Sequence, residues 1–166
     1  MKILKLISLF IIVNFGSLAF GSWLMGAGAS SQWYRSLNKA YWEPEGWVFG
    51  VAWTTIMICF SIYLGFLSNE LIKKNNLRIN QIFSFKFNFP TLFLIHLFLN
   101  ISWNYIFFNQ HMTLLALIDI ILLTILLFYF LFKFSPILKF KIIFILPYCI
   151  WLIIATSLNL YIVIYN

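Results

Sequence analysis

Apolar residues along this chain come in long blocks, and the polar residues between them are gathered into short clusters. The blocks run over residues 3–25, 46–68, 90–108, 113–132 and 142–164. Each is close to the about twenty apolar residues that cross a bilayer's hydrocarbon core as a helix. In lipid a backbone must pair its own N–H and C=O groups, which a helix does and an open strand does not. The pattern therefore predicts an all-α membrane protein: a bundle of five transmembrane helices in a single domain over 1–166. An aromatic-rich loop joins helices 1 and 2. The first block opens with Met1-Lys2-Ile3-Leu4-Lys5 and contains Ala19-Phe20-Gly21, which together imitate a signal peptide with its cleavage site. The run continues through Trp23, Leu24 and Met25, so it reads as a retained span.

Composition narrows the solvent. At 63% hydrophobic and 9% charged residues, with a mean hydropathy of +0.97, the 166 residues have no interior large enough to hide so much apolar surface from water. The net charge of +7 raises nucleic acid as a partner, but the distribution of basic residues gives another account. Of the 11 Lys and Arg, nine fall in segments on one side of five alternating spans: Lys2, Lys5, Lys73, Lys74, Arg78, Lys86, Lys133, Lys139 and Lys141. Arg35 and Lys39 fall on the other. That asymmetry predicts a cytoplasmic N-terminus, an outward-facing first loop and, for a bacterial source, the inner membrane. No nucleic-acid motif accompanies the charge. Cys59 and Cys149 sit apart inside apolar runs and read as packing residues.

Candidate chemistry comes from polar and aromatic residues that lipid alone does not explain. Trp33 to Thr55 holds four tryptophans, two tyrosines, two bases and two acids. It reads as an ordered cap leading into the second helix. On the third helix, His96, Asn100, Trp103 or Asn104, and Phe107 share a face. On the fifth, Pro147, Trp151, Ala155 and Asn159 recur every four residues, and Pro147 is expected to kink the helix and free nearby carbonyls. Interhelical hydrogen bonding also accounts for such polar residues. Asp119 within the fourth span reads as a structural knot with a hydroxyl or amide partner, and His96 as a satisfied core residue. No metal site or nucleophile set stands out, and Gly46-x-x-x-Gly50 permits close helix approach. Together these parts describe a cavity lined by Trp and Asn under an aromatic lid. Its complement is a large flat aromatic molecule whose acids would reach Arg35 or Lys39.

The chain resembles the TspO/MBR family (tryptophan-rich sensory protein / translocator protein, peripheral benzodiazepine receptor-like). The resemblance rests on Trp33-Tyr34 with Leu37, Lys39 and Trp42-x-Pro44-x-Gly46, then Phe49-Gly50 and Trp53. It continues through Asn100-x-x-Trp103 with Phe107-Phe108, and Pro147-Tyr148-x-x-Trp151 with Ala155-Thr156 and Asn159. It implies five helices around a ligand pocket, commonly in homodimers, with no intrinsic cofactor and no dedicated catalytic residues. The implied ligands are porphyrins such as protoporphyrin IX and haem, bound by a sensory or regulatory protein. The pocket would be lined or closed by Tyr34, Trp42, Trp53, Asn100, Trp103, Trp151 and Ala155. Trp53 and Trp151 match the tryptophans implicated in light-dependent porphyrin degradation. A transporter of porphyrins or similar amphiphiles is the alternative. Two departures stand out: Ala40 and Glu45 occupy positions where the family's loop carries proline, which predicts a looser lid and an added acid near the mouth. No basic residue follows Lys141, so the family's C-terminal sterol pattern is not carried over.

Overall fold

The computed structural model describes residues 2–75 and 88–166, and over these the chain is helical apart from short connections, the longest being residues 37–45, and contains no strand. Five long helices, α1 (Lys2–Leu24), α3 (Gly46–Lys74), α4 (Asn88–Asn104), α5 (Thr113–Leu138) and α6 (Leu146–Tyr165), are joined by a short α2 (Gln32–Ser36) and several tight turns. The polar loop expected around Asn76, Arg78, Asn80, Gln81 and Lys86 lies outside the described residues. Among the described residues four helical stretches are long and apolar enough to cross a membrane, the last being Thr113–Tyr165 with 53 residues. A straight helix of that length would be about 80 Å long at about 1.5 Å per residue, far beyond the roughly 30 Å of a bilayer core. It is not straight. Lys139 has a positive φ of 53° at the end of α5, and α6 turns back to pack against α5. A tight 3-10 segment, Lys139–Ile145, makes the reversal.

Packing runs round a ring: α1 lies on α3 and α4, α4 on α5, α5 on α6, and α6 on α3. Small residues set the closest approach. A Cβ placed on Gly65 of α3 would meet the Ile7 backbone of α1 at 3.3 Å, and one on Gly21 of α1 would sit 2.9 Å from Asn104 Nδ2 of α4. The predicted Gly46-x-x-x-Gly50 pair takes no part in these contacts, since a Cβ at either glycine meets open space. Polar ties join the elements as well: Asn14 Nδ2 of α1 donates to Ser61 Oγ of α3 at 2.9 Å, Tyr63 Oη of α3 to the Phe130 carbonyl of α5 at 3.1 Å, and Lys141 Nζ of the reversal to Glu70 of α3 at 3.0 Å. Where water is absent, packing and hydrogen bonds of this kind hold helices together.

Proline behaves differently from the expectation. Pro147 stands in the first turn of α6, where its missing N–H has no partner to lose and its fixed φ suits the helix. It starts the helix and does not kink it. Pro136 lies inside the last turn of α5, just before the reversal at Lys139.

Candidate functional site

The segment between α1 and α3 is an ordered lid held at three points. Ser31 caps α2 by accepting the Tyr34 N–H at 3.1 Å, which fixes the direction of Trp33 and Tyr34. Tyr34 and Trp33 pack on Phe107 and Phe108, which the wide π-type turn Tyr105–Asn109 at the end of α4 brings round to the lid. Trp33 also stacks on His111 at 4.0 Å. At the far end, Trp42 Nε1 donates to Ser157 Oγ of α6 at 3.2 Å, and its ring meets Tyr161 edge-on at 5.4 Å. Asn166 adds a reciprocal clasp, accepting the Asn38 N–H at 2.8 Å and donating to its carbonyl at 3.2 Å. Asn166→Ala removes both arms of that clasp, at about 1 kcal/mol of local stability. We expect faster tryptic cleavage at Arg35 and Lys39 with an unchanged unfolding midpoint; an unchanged cleavage rate would mean that the ring contacts alone hold the lid.

The expected cations at the mouth are not equivalent. Lys39 Nζ lies 3.3 Å from Glu43 Oε1 and 3.8 Å from the centroid of the Tyr34 ring, and Tyr34 Oη donates to the same Glu43 oxygen at 3.0 Å. Burial first, and then the adjacent Glu43 charge, raise the Tyr34 phenol above its ordinary range, so it stays protonated and keeps donating. Arg35 is exposed and enters no ion pair among the described residues. Glu45 accepts the Trp47 indole N–H at 2.8 Å.

Below the lid the polar residues of α4 and α6 satisfy one another. Trp103 stacks on Phe107 at 5.0 Å and donates its indole N–H to Asn159 Oδ1 at 3.1 Å, while Asn159 Nδ2 donates to the Thr113 carbonyl at 3.0 Å. Deeper, Asn100 Nδ2 donates to Tyr148 Oη at 2.7 Å, and His96 Nε2 lies 3.1 Å from the same oxygen. The phenol oxygen accepts from Asn100 and pairs with His96 Nε2, the imidazole tautomer setting which of the two gives the proton. Trp53 and Phe60 pack edge-on to the Tyr148 ring at 5.9 and 5.4 Å. Tyr148, fully buried, is thus the hub of the interior. Asp119 accepts from Ser102 Oγ at 2.7 Å, a carboxylate–hydroxyl pair of the kind expected.

Beside this interior, between α3 and α6, lies an apolar groove of about 340 Å³ lined by Ala52, Thr55, Ile56, Pro147, Ile150, Trp151 and Ile154. Phe49 meets the Trp151 ring edge-on at 5.4 Å. The lid's anchor Ser157 is on α6 three residues beyond Ile154, about 4.5 Å further along the helix axis.

The expected site residues therefore fall into separate groups. Tyr34, Trp103 and Phe107 form one aromatic cluster beneath the lid, with Lys39 against Tyr34. Trp53 and Asn100 meet at Tyr148, Trp151 lines the groove, and Trp42 sits on α6. Ala155 packs against the main core. The residues passed over were Tyr148, Glu43 and Ser157. Tyr148 stood within Pro147-Tyr148-x-x-Trp151, but a tyrosine in an apolar run gives no sign that two polar side chains from another helix converge on it.

Long apolar helices with buried polar ties, under an aromatic lid, define a multi-pass integral membrane protein with a small-molecule-sized apolar groove. Comparison with known proteins supplies the family. Residues 9–165 match the sequence profile of the TspO/MBR family, and the chain belongs to it. It is 30% identical to the Tryptophan-rich protein TspO of Chlorobaculum tepidum over 78% of this chain and 77% of that protein. To the Tryptophan-rich protein TspO of Archaeoglobus fulgidus it is 29% identical across 100% of this chain and 99% of the relative. Protein CrtK of Rhodobacter capsulatus is 29% identical over 76% of this chain and 74% of its own.

Proposed function

We propose that this protein is a tetrapyrrole-binding sensory or regulatory membrane protein whose five long helices each cross the bilayer. In this reading the N-terminus faces the cytoplasm, the lid faces outward, and two copies associate. The observation that carries the proposal is the groove with Trp151 as one wall, on the same helix that tethers the aromatic lid through Trp42 and Ser157. The name of the relative from Cereibacter sphaeroides, Tryptophan-rich sensory protein, supports the regulatory side, although the match covers 31 residues at 45% identity. An apolar lining with an indole wall suits the face of a macrocycle such as protoporphyrin IX or haem. Trp53 and Trp151 are the residues that would give an electron to the photoexcited macrocycle in any light-dependent degradation. Their rings reach Tyr148 and Phe49 respectively, so each indole is held in a fixed pose.

The test is a tryptophan-fluorescence titration with protoporphyrin IX, in the dark and then under light, with Trp53→Phe plus Trp151→Phe in parallel. We expect saturable quenching in the dark and light-dependent porphyrin loss in the unmodified protein alone. Absence of saturable binding sinks the tetrapyrrole assignment. Binding with photochemistry unaltered by the two substitutions removes the indoles from that role and leaves the sensor. Directional porphyrin uptake into vesicles would put a transporter in its place.

A further inference from the structure

Tyr148 meets an indole with its ring and an imidazole with its oxygen. Trp53 lies edge-on to the ring at 5.9 Å, and His96 Nε2 is 3.1 Å from the hydroxyl, to which Asn100 Nδ2 already donates at 2.7 Å. With the imidazole proton on Nε2, the phenol proton would have no acceptor among the described residues, and Nδ1 would have no donor. With it on Nδ1, the phenol donates to Nε2 and a single atom of the pair goes unpartnered. Buried polar groups favour the arrangement that strands fewer of them, so the phenol holds its proton against a free base. Neither group meets solvent: Tyr148 is 0% and His96 1% exposed, with Phe60 and Phe93 packed on the imidazole at 4.7 and 5.9 Å. Indoles and phenols are the aromatic side chains that lose a single electron most readily, and a phenol does so more easily when its proton can leave with the electron.

The geometry points to Tyr148 and His96 as a redox pair that takes an oxidising equivalent from Trp53. The step balances within three side chains. A Trp53 indole that has lost one electron, a radical cation, receives an electron from Tyr148. The phenol O–H bond breaks, and its proton passes to His96 Nε2, which is within hydrogen-bond reach. A neutral indole, a neutral phenoxyl radical and an imidazolium result. One positive charge therefore moves within the interior, and none is created there. Return of an electron to Tyr148 draws the proton back. The photochemical reading supplies the oxidant of Trp53, a photoexcited tetrapyrrole, and on that reading the pair's use in the cell rests.

The experiment begins without porphyrin. An ultraviolet flash ejects electrons from the indoles of the full chain in nanodiscs, and a cobalt(III) ammine in the buffer traps them. Transient absorption and spin resonance of frozen samples then follow the indolyl and phenoxyl radicals. Lid pairs such as Trp42 with Tyr41 give phenoxyl in every sample, so differences from the unmodified protein are read. Tyr148→Phe and Trp53→Phe should each lose the same phenoxyl component, and His96→Leu should lose it with the Tyr148 ring still in place. Unfolding curves check that each variant is folded. A measurement that needs no variant uses protein grown on nitrogen-15 histidine: the phenoxyl spin should couple to a histidine nitrogen. Of the chain's 2 histidines, the other, His111, stacks on Trp33. A phenoxyl signal without that coupling, and unchanged in Tyr148→Phe, overturns the inference. A component lost in Tyr148→Phe but kept in His96→Leu overturns His96 as the base. Illumination with protoporphyrin IX then separates the two readings. If the flash yields the Tyr148 radical but light consumes no porphyrin, the photochemical reading falls and the redox pair stands.

Discussion

Tyr148→Phe should destabilise the protein by about 2 kcal/mol while leaving the shape of the ring intact. The substitution deletes one oxygen at the centre of the interior, where Asn100 donates at 2.7 Å and His96 Nε2 sits at 3.1 Å. Both partners are buried, and His96 Nδ1 has no hydrogen-bond partner among the described residues even with the phenol present. Water does not readily take over. Each stranded group then bears part of its desolvation cost, whereas a membrane hydrogen bond of average worth would cost only about 0.6 kcal/mol. The readout is reversible unfolding in mixed micelles. The distinguishing measurement is the cycle with Asn100→Leu: once the phenol oxygen is gone, removing the amide should cost less than it does in the unmodified protein, because the donor no longer has an acceptor. Strict additivity would mean that the three side chains are neighbours without being a network.

This network bears on how the site is used. Asn100 was expected to line or close the pocket, and in this structure its amide donates to Tyr148. Trp103 is likewise committed to Asn159. A ligand that draws on either must exchange one bond for another. Trp151, by contrast, lines the groove.

Much of the fold was legible because lipid imposes a single rule, that every backbone group be paired within its own helix, and the apolar blocks obey it. The helix ends were less legible. α3 runs to Lys74, beyond the expected Ser68, because Asn75 closes it by donating its side-chain amide to the Leu71 carbonyl at 2.9 Å. α5 runs past Lys133 to Leu138, since Lys133 reaches Tyr129 Oη at 2.7 Å and needs no break in the helix. The charge of Lys39 and Arg35 was visible in the sequence, but Glu43's capture of Lys39 was not. An i, i+4 spacing pairs side chains on a helix, and these two lie in non-helical loop, where only the fold of the lid brings them together. The glycines show the same limit. Gly46-x-x-x-Gly50 has the spacing of a packing motif and faces open space, while the tight seams lie at Gly21 and Gly65, each paired at the same spacing with a serine (Ser17, Ser61) and not with a second glycine.

That contrast sets the second large effect. Gly65→Val should cost about 3 kcal/mol, the upper end for overpacking a buried contact, because its Cβ would meet the Ile7 backbone of α1 at 3.3 Å and the side chain of Ile7 more closely still. Backbone cannot rotate aside as a flexible side chain can, so α1 must move away from α3 along the seam that also holds Asn14 to Ser61. Unfolding in micelles should show the loss. The Asn14–Ser61 bond should report the separation: in the Gly65→Val background, Ser61→Ala should cost less than in the unmodified protein. Gly50→Val puts the same bulk on an exposed face of α3 and should leave the unfolding midpoint within about 0.5 kcal/mol. If copies associate through that face, Gly50→Val should instead lower the fraction of cross-linked dimer in nanodiscs, a signal that Gly65→Val does not produce on its own. A Gly50→Val variant as unstable as Gly65→Val would mean that the open face of α3 is packed within the single chain, and that the ring of helices closes differently from the arrangement described.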